Sequence, residues 1–292
     1  MYELIRAGEN TYYMECPTRV GFYRTAPDEA VLIDAGSDRD AAKKVKKHLD
    51  AQGWRLRAIF NTHAHADHIG GNRYLQEQTG CRIYAAELER AFAEFPILEP
   101  TTLYGGLAPA ELHNKFLLAK PSDAEPLTED ALPAGLKALP LPGHSYCMTG
   151  FRTADNVVFA ADSLSSAETL EKYRIGYLYD VKAYLETLET LKTLRARLFV
   201  PAHAPVTEDI APLAQLNIDR TLEVMERVTA LLRAPMTFDD LLTAVFDSFG
   251  LTMTLQQYAL IGSTLRSYLT ALRADGRVDF TFDNNRMLWA AR

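Results

Sequence analysis

Histidine and aspartate are concentrated in one short stretch of this sequence. His63, His65 and His68 lie within six positions, and Asp67 precedes the last of them. Divalent metals such as zinc bind neutral imidazole nitrogens and carboxylate oxygens, and a catalytic zinc ion commonly has three protein ligands and one open position. Because alternate residues of an extended segment point to the same side, His63 and His65 are predicted to bind one ion together.

Three more candidate ligands each follow an apolar, strand-like segment. His144 comes in a Pro-Gly-His turn, Asp162 follows residues 157–161, and His203 follows residues 198–202. Functional groups at strand ends are common in layered α/β folds, because the scaffold is rigid and the loops are free to vary. The candidates are too many for one metal ion and about right for two.

The order and spacing of these residues resemble the metallo-β-lactamase superfamily, and in particular its glyoxalase II-like branch. The shared features are H-x-H-x-D-H, a Gly-His turn, an Asp after a strand and a late Pro-x-His, over about residues 1–205. The resemblance implies an α/β fold, a four-layer αββα sandwich. It also implies three sets of metal ligands: His63, His65 and His144 for one ion, Asp67, His68 and His203 for a second, and Asp162 bridging the two.

The same resemblance implies roles for residues around the metals. Asp34, in Ile-Asp-Ala-Gly after an early strand, is expected to support the ligands from behind. Asp67 is expected to orient the attacking hydroxide as well as to bind a metal. Ala161 stands where the family often has Gly, which is expected to alter packing and not coordination. Lys172 and Arg174 are candidates for holding an anionic substrate, with a solvated surface pair as the alternative.

The chain is predicted to contain a catalytic domain and a smaller unit. Residues 1–208 form the catalytic domain, in which residues 86–130 are an insertion that shapes the pocket, since they are too long for a plain connection. Residues 209–234 form a helical connection. Residues 235–292 are predicted to be a winged-helix-like domain, because two helical patterns precede a hairpin around Asp-Asn-Asn. Within the catalytic domain, residues 69–78 are predicted to be one helix.

Charge and composition exclude several classes of partner. Residues 236–292 contain five Arg, no Lys and six Asp, so the unit lacks the basic face of a DNA reader and is predicted to serve packing or homodimerisation. The whole chain has a net charge of −7 and 48% hydrophobic residues. It has no apolar run of about 18 residues, no signal-peptide pattern and only three Cys, so we expect a cytoplasmic enzyme with no membrane partner.

The resemblance implies a dinuclear metal hydrolase that acts on a small molecule. Two divalent ions, zinc by default with iron or manganese also suited, would hold a bridging hydroxide that attacks an ester or thioester. Two alternatives stay open: a phosphodiesterase or single-stranded RNA endonuclease, and a β-lactamase or lactonase. The acidic charge argues against the nuclease, and Asp162 stands where many β-lactamases have Cys. A diiron redox protein is a further alternative, although His65 replaces the Glu of that branch.

Overall fold

Two β-sheets form the centre of the computed structural model, which describes residues 2–292. The first sheet has seven strands in chain order: β1 (Glu3–Arg6), β2 (Thr11–Glu15), β3 (Val20–Ala26), β4 (Glu29–Ile33), β5 (Arg55–Phe60), β6 (Arg82–Ala85) and β7 (Glu125–Pro126). Its pairs are antiparallel from β1 to β4 and parallel from β4 to β7. The second sheet has four strands: β8 (Lys137–Pro140), β9 (Thr149–Arg152), β10 (Val157–Ala161) and β11 (Leu198–Pro201).

The two sheets pack face to face through alternate apolar residues. Val31 and Ile33 of β4 belong to the cluster that also contains Phe151 and Phe159 of the second sheet. The intervening Leu32 belongs to a different cluster, on the helical side of the first sheet. Strand β4 is therefore buried on both faces, which explains its uninterrupted run of apolar residues.

Helices cover the outer face of each sheet. On the first sheet they contribute Val45, Leu49 and Leu75, and on the second they contribute Leu188 and Leu191. This arrangement is the predicted αββα sandwich. The helices of this part of the chain are α1 (Arg39–Gln52), α2 (Ala66–Ile69), α3 (Asn72–Thr79), α4 (Glu87–Glu94), α5 (Leu98–Tyr104), α6 (Ala167–Tyr173), α7 (Val181–Thr193) and α8 (Ala211–Leu231).

The helix predicted over residues 69–78 is two helices in the structure. Helix α2 begins earlier, at Ala66, and α3 begins at Asn72, after Gly70 and Gly71. The backbone of the loop between β4 and α1 lies against both glycines. A Cβ atom on Gly70 would lie 2.2 Å from the carbonyl oxygen of Ser37, and a Cβ atom on Gly71 would lie 2.2 Å from the carbonyl oxygen of Ala35. The prediction of one helix was wrong because periodicity does not register this close backbone contact.

The C-terminal part continues with α9 (Phe238–Phe249), α10 (Leu255–Ala274), β12 (Val278–Asp283) and β13 (Arg286–Ala291). One apolar cluster extends from Val158 in the second sheet through Leu188 and Val228 to Leu265 and Val278. It crosses both predicted domain boundaries, so the C-terminal helices share a core with the outer layer of the sandwich. The domain division and the winged-helix-like description stay predictions. No helix within residues 2–292 combines the length and apolar character that crossing a membrane requires.

We expect Gly70→Ala to destabilise the fold by about 2 kcal/mol or more, because the added methyl group overlaps the Ser37 carbonyl oxygen. The matched control is Gly106→Ala, where a Cβ atom meets nothing within 4 Å, and which we expect to change stability by less than about 0.5 kcal/mol. Urea unfolding midpoints of the two variants measure the difference. Equal midpoints would contradict the tight packing at Gly70.

Candidate metal centre

Five imidazoles and two carboxylates meet at one edge of the sandwich, where strands of both sheets end. The segment after β5 carries four of the predicted residues, and one more follows each of β8, β10 and β11. The structure thus brings together all seven predicted residues: His63, His65, Asp67, His68, His144, Asp162 and His203. Residues from 63 to 203 become neighbours because β5, β8, β10 and β11 end at the same edge of the two packed sheets.

The donor atoms fall into three overlapping groups, and within each group they all lie within 4.8 Å of one another. The first group is His63, His65 and His144, the second is Asp67, His68 and His203, and the third, His63, His68 and Asp162, connects them. In the first group, Nδ1 of His65 is 3.0 Å from Nε2 of His63 and 3.1 Å from Nε2 of His144. In the second, Oδ2 of Asp67 is 3.0 Å from Nε2 of His203 and 3.7 Å from Nε2 of His68. Each group contains the three ligands that a catalytic metal ion commonly has.

Asp162 lies between the two groups. Its Oδ1 atom is 3.0 Å from Nε2 of His68, and its Oδ2 atom is 3.4 Å from Nε2 of both His144 and His203. One carboxylate therefore faces imidazoles of both groups. This is the geometry that a bridging ligand requires.

The residues present fit divalent cations. Nε2 of His68 and Oδ1 of Asp162 are buried, and although they lie 3.0 Å apart, neither makes a hydrogen bond of acceptable geometry among the described residues. An unpaired polar atom in the interior costs roughly 1–3 kcal/mol or more, so such atoms call for an additional partner. Imidazole nitrogens that converge with a carboxylate are the donor set that zinc and similar ions prefer.

The outward nitrogens of two ligands are held by backbone carbonyl groups. Nδ1 of His203 donates to the carbonyl oxygen of Pro17 at 2.9 Å, and Nδ1 of His144 donates to that of Tyr177 at 3.2 Å. When Nδ1 carries the proton, the lone pair of Nε2 points into the centre. Such outer hydrogen bonds typically orient metal-binding histidines.

Asp34 lies behind the centre, at the end of β4. Its carboxylate accepts hydrogen bonds from the backbone N–H and the hydroxyl of Thr62, both at 2.8 Å, and from Nδ1 of His68 at 2.8 Å. Asp34 is buried and has a φ angle of +62°, in the left-handed region that few side chains adopt. This conformation turns the carboxylate from the end of β4 towards the loop after β5.

The backbone at Ala161 explains why glycine is expected there. Ala161 has a φ angle of +49°, and the pairing of β10 with β11 is irregular at this point. A left-handed residue with a side chain costs about 1–2 kcal/mol, a cost that glycine avoids. The conformation ends the strand abruptly and leaves the next residue, Asp162, at the centre.

Burial and neighbouring charges shift the pKa values of the histidines in opposite directions in the two groups. Burial, followed by the charge of neighbouring imidazoles, lowers the pKa of His65 to about 3, and the same causes lower the pKa of His63. At His203 burial also lowers the pKa, but the carboxylates of Asp162 and Asp67 outweigh it and raise the pKa to about 10. The first group therefore favours neutral imidazole, and the second is rich in negative charge.

Glu89 braces the centre from the inserted segment, and sequence analysis missed it. Its buried carboxylate accepts hydrogen bonds from the N–H of Ala64 at 2.9 Å, the hydroxyl of Ser145 at 2.7 Å and the N–H of Cys147 at 2.9 Å. Ala64 lies between His63 and His65, and Ser145 follows His144. Glu89 therefore ties together the two loops that carry the first ligand group.

Three further residues near the centre were also missed. Thr18 donates to Oδ2 of Asp67 at 2.8 Å. The ring of Tyr177 lies edge-on to His65, with centroids 5.3 Å apart. Burial and then the charge of Asp67 raise the pKa of Glu99, a buried carboxyl group, well above its usual value. No sequence motif marks these residues, because their partners are distant in the chain.

The two candidate substrate-binding cations lie in different surroundings. Arg174 lines a cavity of about 70 Å³ that also contacts His144, Asp162 and His203, but its guanidinium is paired with Glu171. Lys172 is exposed, with its ammonium 4.7 Å from the centre of the Tyr173 ring, and does not line that cavity. The structure therefore brings only Arg174 near the centre, and substrate binding by either residue stays a prediction.

Comparison with known proteins identifies the family. The sequence model of the metallo-beta-lactamase superfamily matches residues 13–203, which include every candidate ligand. The chain belongs to this superfamily.

Individual relatives carry more specific names. A hydroxyacylglutathione hydrolase of Pseudomonas entomophila is 26% identical over 217 residues, which cover 68% of this chain and 73% of that protein. Another, from Methylococcus capsulatus, is 46% identical over 56 residues, so the chain spans only 22% of its length. These are proteins to which the chain is similar.

Solved structures share the fold over the full chain. A beta-lactamase domain protein from Burkholderia ambifaria has a TM-score of 0.74 at 16% identity, covering 99% of this chain and 94% of its own. A metallo-beta-lactamase family protein from Thermus thermophilus has a TM-score of 0.71 at 21% identity, covering 99% and 98%. At these identities the likeness concerns the fold alone.

We expect Glu89→Gln to weaken metal binding by the His63, His65 and His144 group about 10- to 100-fold. Both carboxylate oxygens of Glu89 accept hydrogen bonds, so the amide would place an N–H group against a donor. The measurement is metal binding by competition with a chromophoric chelator. Glu87→Gln, at an exposed position of the same helix, is the control. Equal affinities in the two variants would contradict the bracing role.

Proposed function

We propose that this chain is a dinuclear metal hydrolase of carboxylic esters or thioesters. The observation that carries the proposal is the position of Asp162 between the two ligand groups, within 3.4 Å of imidazoles from each. One carboxylate that serves two ions is characteristic of two-metal hydrolytic centres. His63, His65 and His144 would hold one ion, and Asp67, His68 and His203 would hold the other.

Zinc is the proposed metal, and iron or manganese would also suit these ligands. The set contains imidazole and carboxylate and no thiolate, a combination that does not discriminate strongly among these ions. The chemistry that such a pair supplies when bound is activation of a water molecule and polarisation of a carbonyl group.

The surrounding side chains support hydrolysis without a protein nucleophile. Asp67 is proposed to orient the water, and the hydroxyl of Thr18, which donates to Oδ2, leaves the other oxygen of Asp67 free for this purpose. Asp34 is proposed to hold His68 in place through Nδ1. Two Ser residues adjoin the ligands in sequence, and both are buried: Ser145 donates to Glu89 and Ser163 donates to the carbonyl oxygen of Ala160, so neither hydroxyl is free to attack.

The names of the relatives support the thioester part of the proposal. Several matched proteins are hydroxyacylglutathione hydrolases. A small-molecule substrate is also favoured over a nucleic acid by the net charge of −7. We propose a cytoplasmic setting, which the free thiols of Cys16, Cys81 and Cys147 support.

We expect Asp162→Ala to lose bound metal and hydrolytic activity together while the fold is retained, because the bridging carboxylate is removed at a strand end. Metal analysis, circular dichroism and rate measurements on one preparation test this, with His65→Ala as a second variant. The control is His113→Ala, an exposed histidine outside the centre, which should keep metal and activity. A metal-free variant that hydrolysed at the native rate would overturn the metal mechanism.

The substrate class is tested on the metal-loaded protein with a parallel panel. The panel contains acyl-glutathione and other thioesters, a lactone, nitrocefin, bis-p-nitrophenyl phosphate and single-stranded RNA. We expect thioester or ester turnover that rises with bound metal to two ions per chain. Cleavage of phosphodiester or RNA alone would replace the proposal by a nuclease function, and turnover of nitrocefin alone would replace it by a β-lactamase function.

A further inference from the structure

A cavity of about 150 Å³ opens directly on the metal centre. Four candidate ligands form one wall of it: His65, Asp67, His144 and Asp162. The opposite wall comes from outside the ligand loops, from the inserted segment and from helix α10. The cavity is therefore the space in which a bound substrate would lie beside the reacting centre.

The wall opposite the ligands is mainly apolar. Leu103, Phe116 and Leu117 of the inserted segment and Leu260 of α10 line it. Leu103, Leu117 and Leu260 belong to one apolar cluster, which joins the inserted segment to α10. The wall is thus built by two parts of the chain that pack on each other.

The lining contains no positive charge. The remaining lining residues are Glu99, Tyr177 and Gln256, so none of the residues that line the cavity is Lys or Arg. Lys115 precedes the lining residue Phe116 in the chain, Arg174 lines the neighbouring cavity that also contacts His144 and Asp162, and both cations have partners. Lys115 is 3.4 Å from the carboxylate of Asp38, and Arg174 is paired with Glu171. Away from the ligand wall, where the proposed metal ions would lie, a carboxylate or phosphate would meet Glu99, Tyr177, Gln256 and apolar side chains, and would lose its hydration without gaining a counterion.

From these observations we infer that the cavity takes a short, uncharged, apolar acyl group, and that the inserted segment together with α10 selects it. The inference rests on the proposed function, since it assigns the acyl half of an ester or thioester substrate. The cavity has a volume of about 150 Å³. That space suits a chain of a few carbons, whereas a peptide-sized leaving group would extend beyond the cavity.

Binding of uncleavable amides tests the inference without requiring turnover. Acetamide, butyramide and hexanamide are titrated into the metal-loaded full chain by ligand-observed NMR. We expect affinity to rise about 3- to 4-fold for each added CH₂ group until the cavity is filled. Phe116→Ala should reduce hexanamide affinity about 5-fold or more and affect acetamide much less. The control is Phe95→Ala, because Phe95 is also an exposed phenylalanine of the inserted segment but does not line the cavity. It should leave the affinities for all three amides unchanged.

Charge selectivity is tested by hydrolysis of butyryl and succinyl thioesters of one small neutral thiol. We expect kcat/KM to be at least about 10-fold higher for butyryl. Gln256→Lys places a cation at the cavity and should reduce the butyryl-to-succinyl ratio of kcat/KM about 10-fold. The control is Gln257→Lys, at the neighbouring position of α10 and outside this cavity, which should leave the ratio unchanged.

The outcomes separate this inference from the proposed function. Amide affinities that do not depend on chain length would overturn the acyl assignment, as would equal effects of Phe116→Ala and Phe95→Ala or equal turnover of succinyl and butyryl thioesters. Length-dependent amide binding without any ester or thioester hydrolysis would overturn the proposed function and support the assignment of the cavity.

Discussion

The structure depends on the convergence of seven donor groups at one buried point. In the first group, Nδ1 of His65 lies 3.0 Å from an imidazole nitrogen of His63 and 3.1 Å from one of His144. The carboxylate of Asp162 connects that group to the second. Such crowding is unfavourable for protein groups alone, as the two unpartnered atoms on His68 and Asp162 illustrate. The scaffold has to hold these groups against their mutual repulsion and desolvation, and cations supply the missing partner.

The sandwich meets that requirement by bracing the ligand loops from two sides. Asp34 holds the loop after β5 from the first sheet, while Glu89 ties the same loop to the one that carries His144. The left-handed conformations at Asp34 and Ala161 turn both strand ends sharply into the centre. Local strain of this kind persists where the surrounding packing determines the conformation, and it is common at functional sites.

Part of the proposed substrate selection lies outside the part of the chain that carries the candidate ligands. The family match covers residues 13–203 and contains all the ligands, whereas Gln256 and Leu260 of α10 lie outside it. The apolar cluster that crosses from the sandwich into α9 and α10 holds this outer wall in position. A change in the C-terminal part can therefore alter which acyl group fits without touching a metal ligand.

The sequence by itself determined the fold class, the family, the candidate ligands and the supporting residue Asp34. These residues were accessible because they cluster in short segments that follow apolar strands, and a local pattern of residue types carries that information. Only the tertiary structure decided the bracing by Glu89 and Thr18, the break at Gly70 and Gly71, and the cavity wall on α10. Each of these depends on a partner far away in the chain: Glu89 bonds Ser145 across 56 positions, and Thr18 bonds Asp67 across 49. Glu89 is an isolated acidic residue on a helix and Thr18 is a threonine in a loop, so neither belongs to a periodic or spaced sequence pattern. Their roles can be recognised only from their contacts in the folded chain.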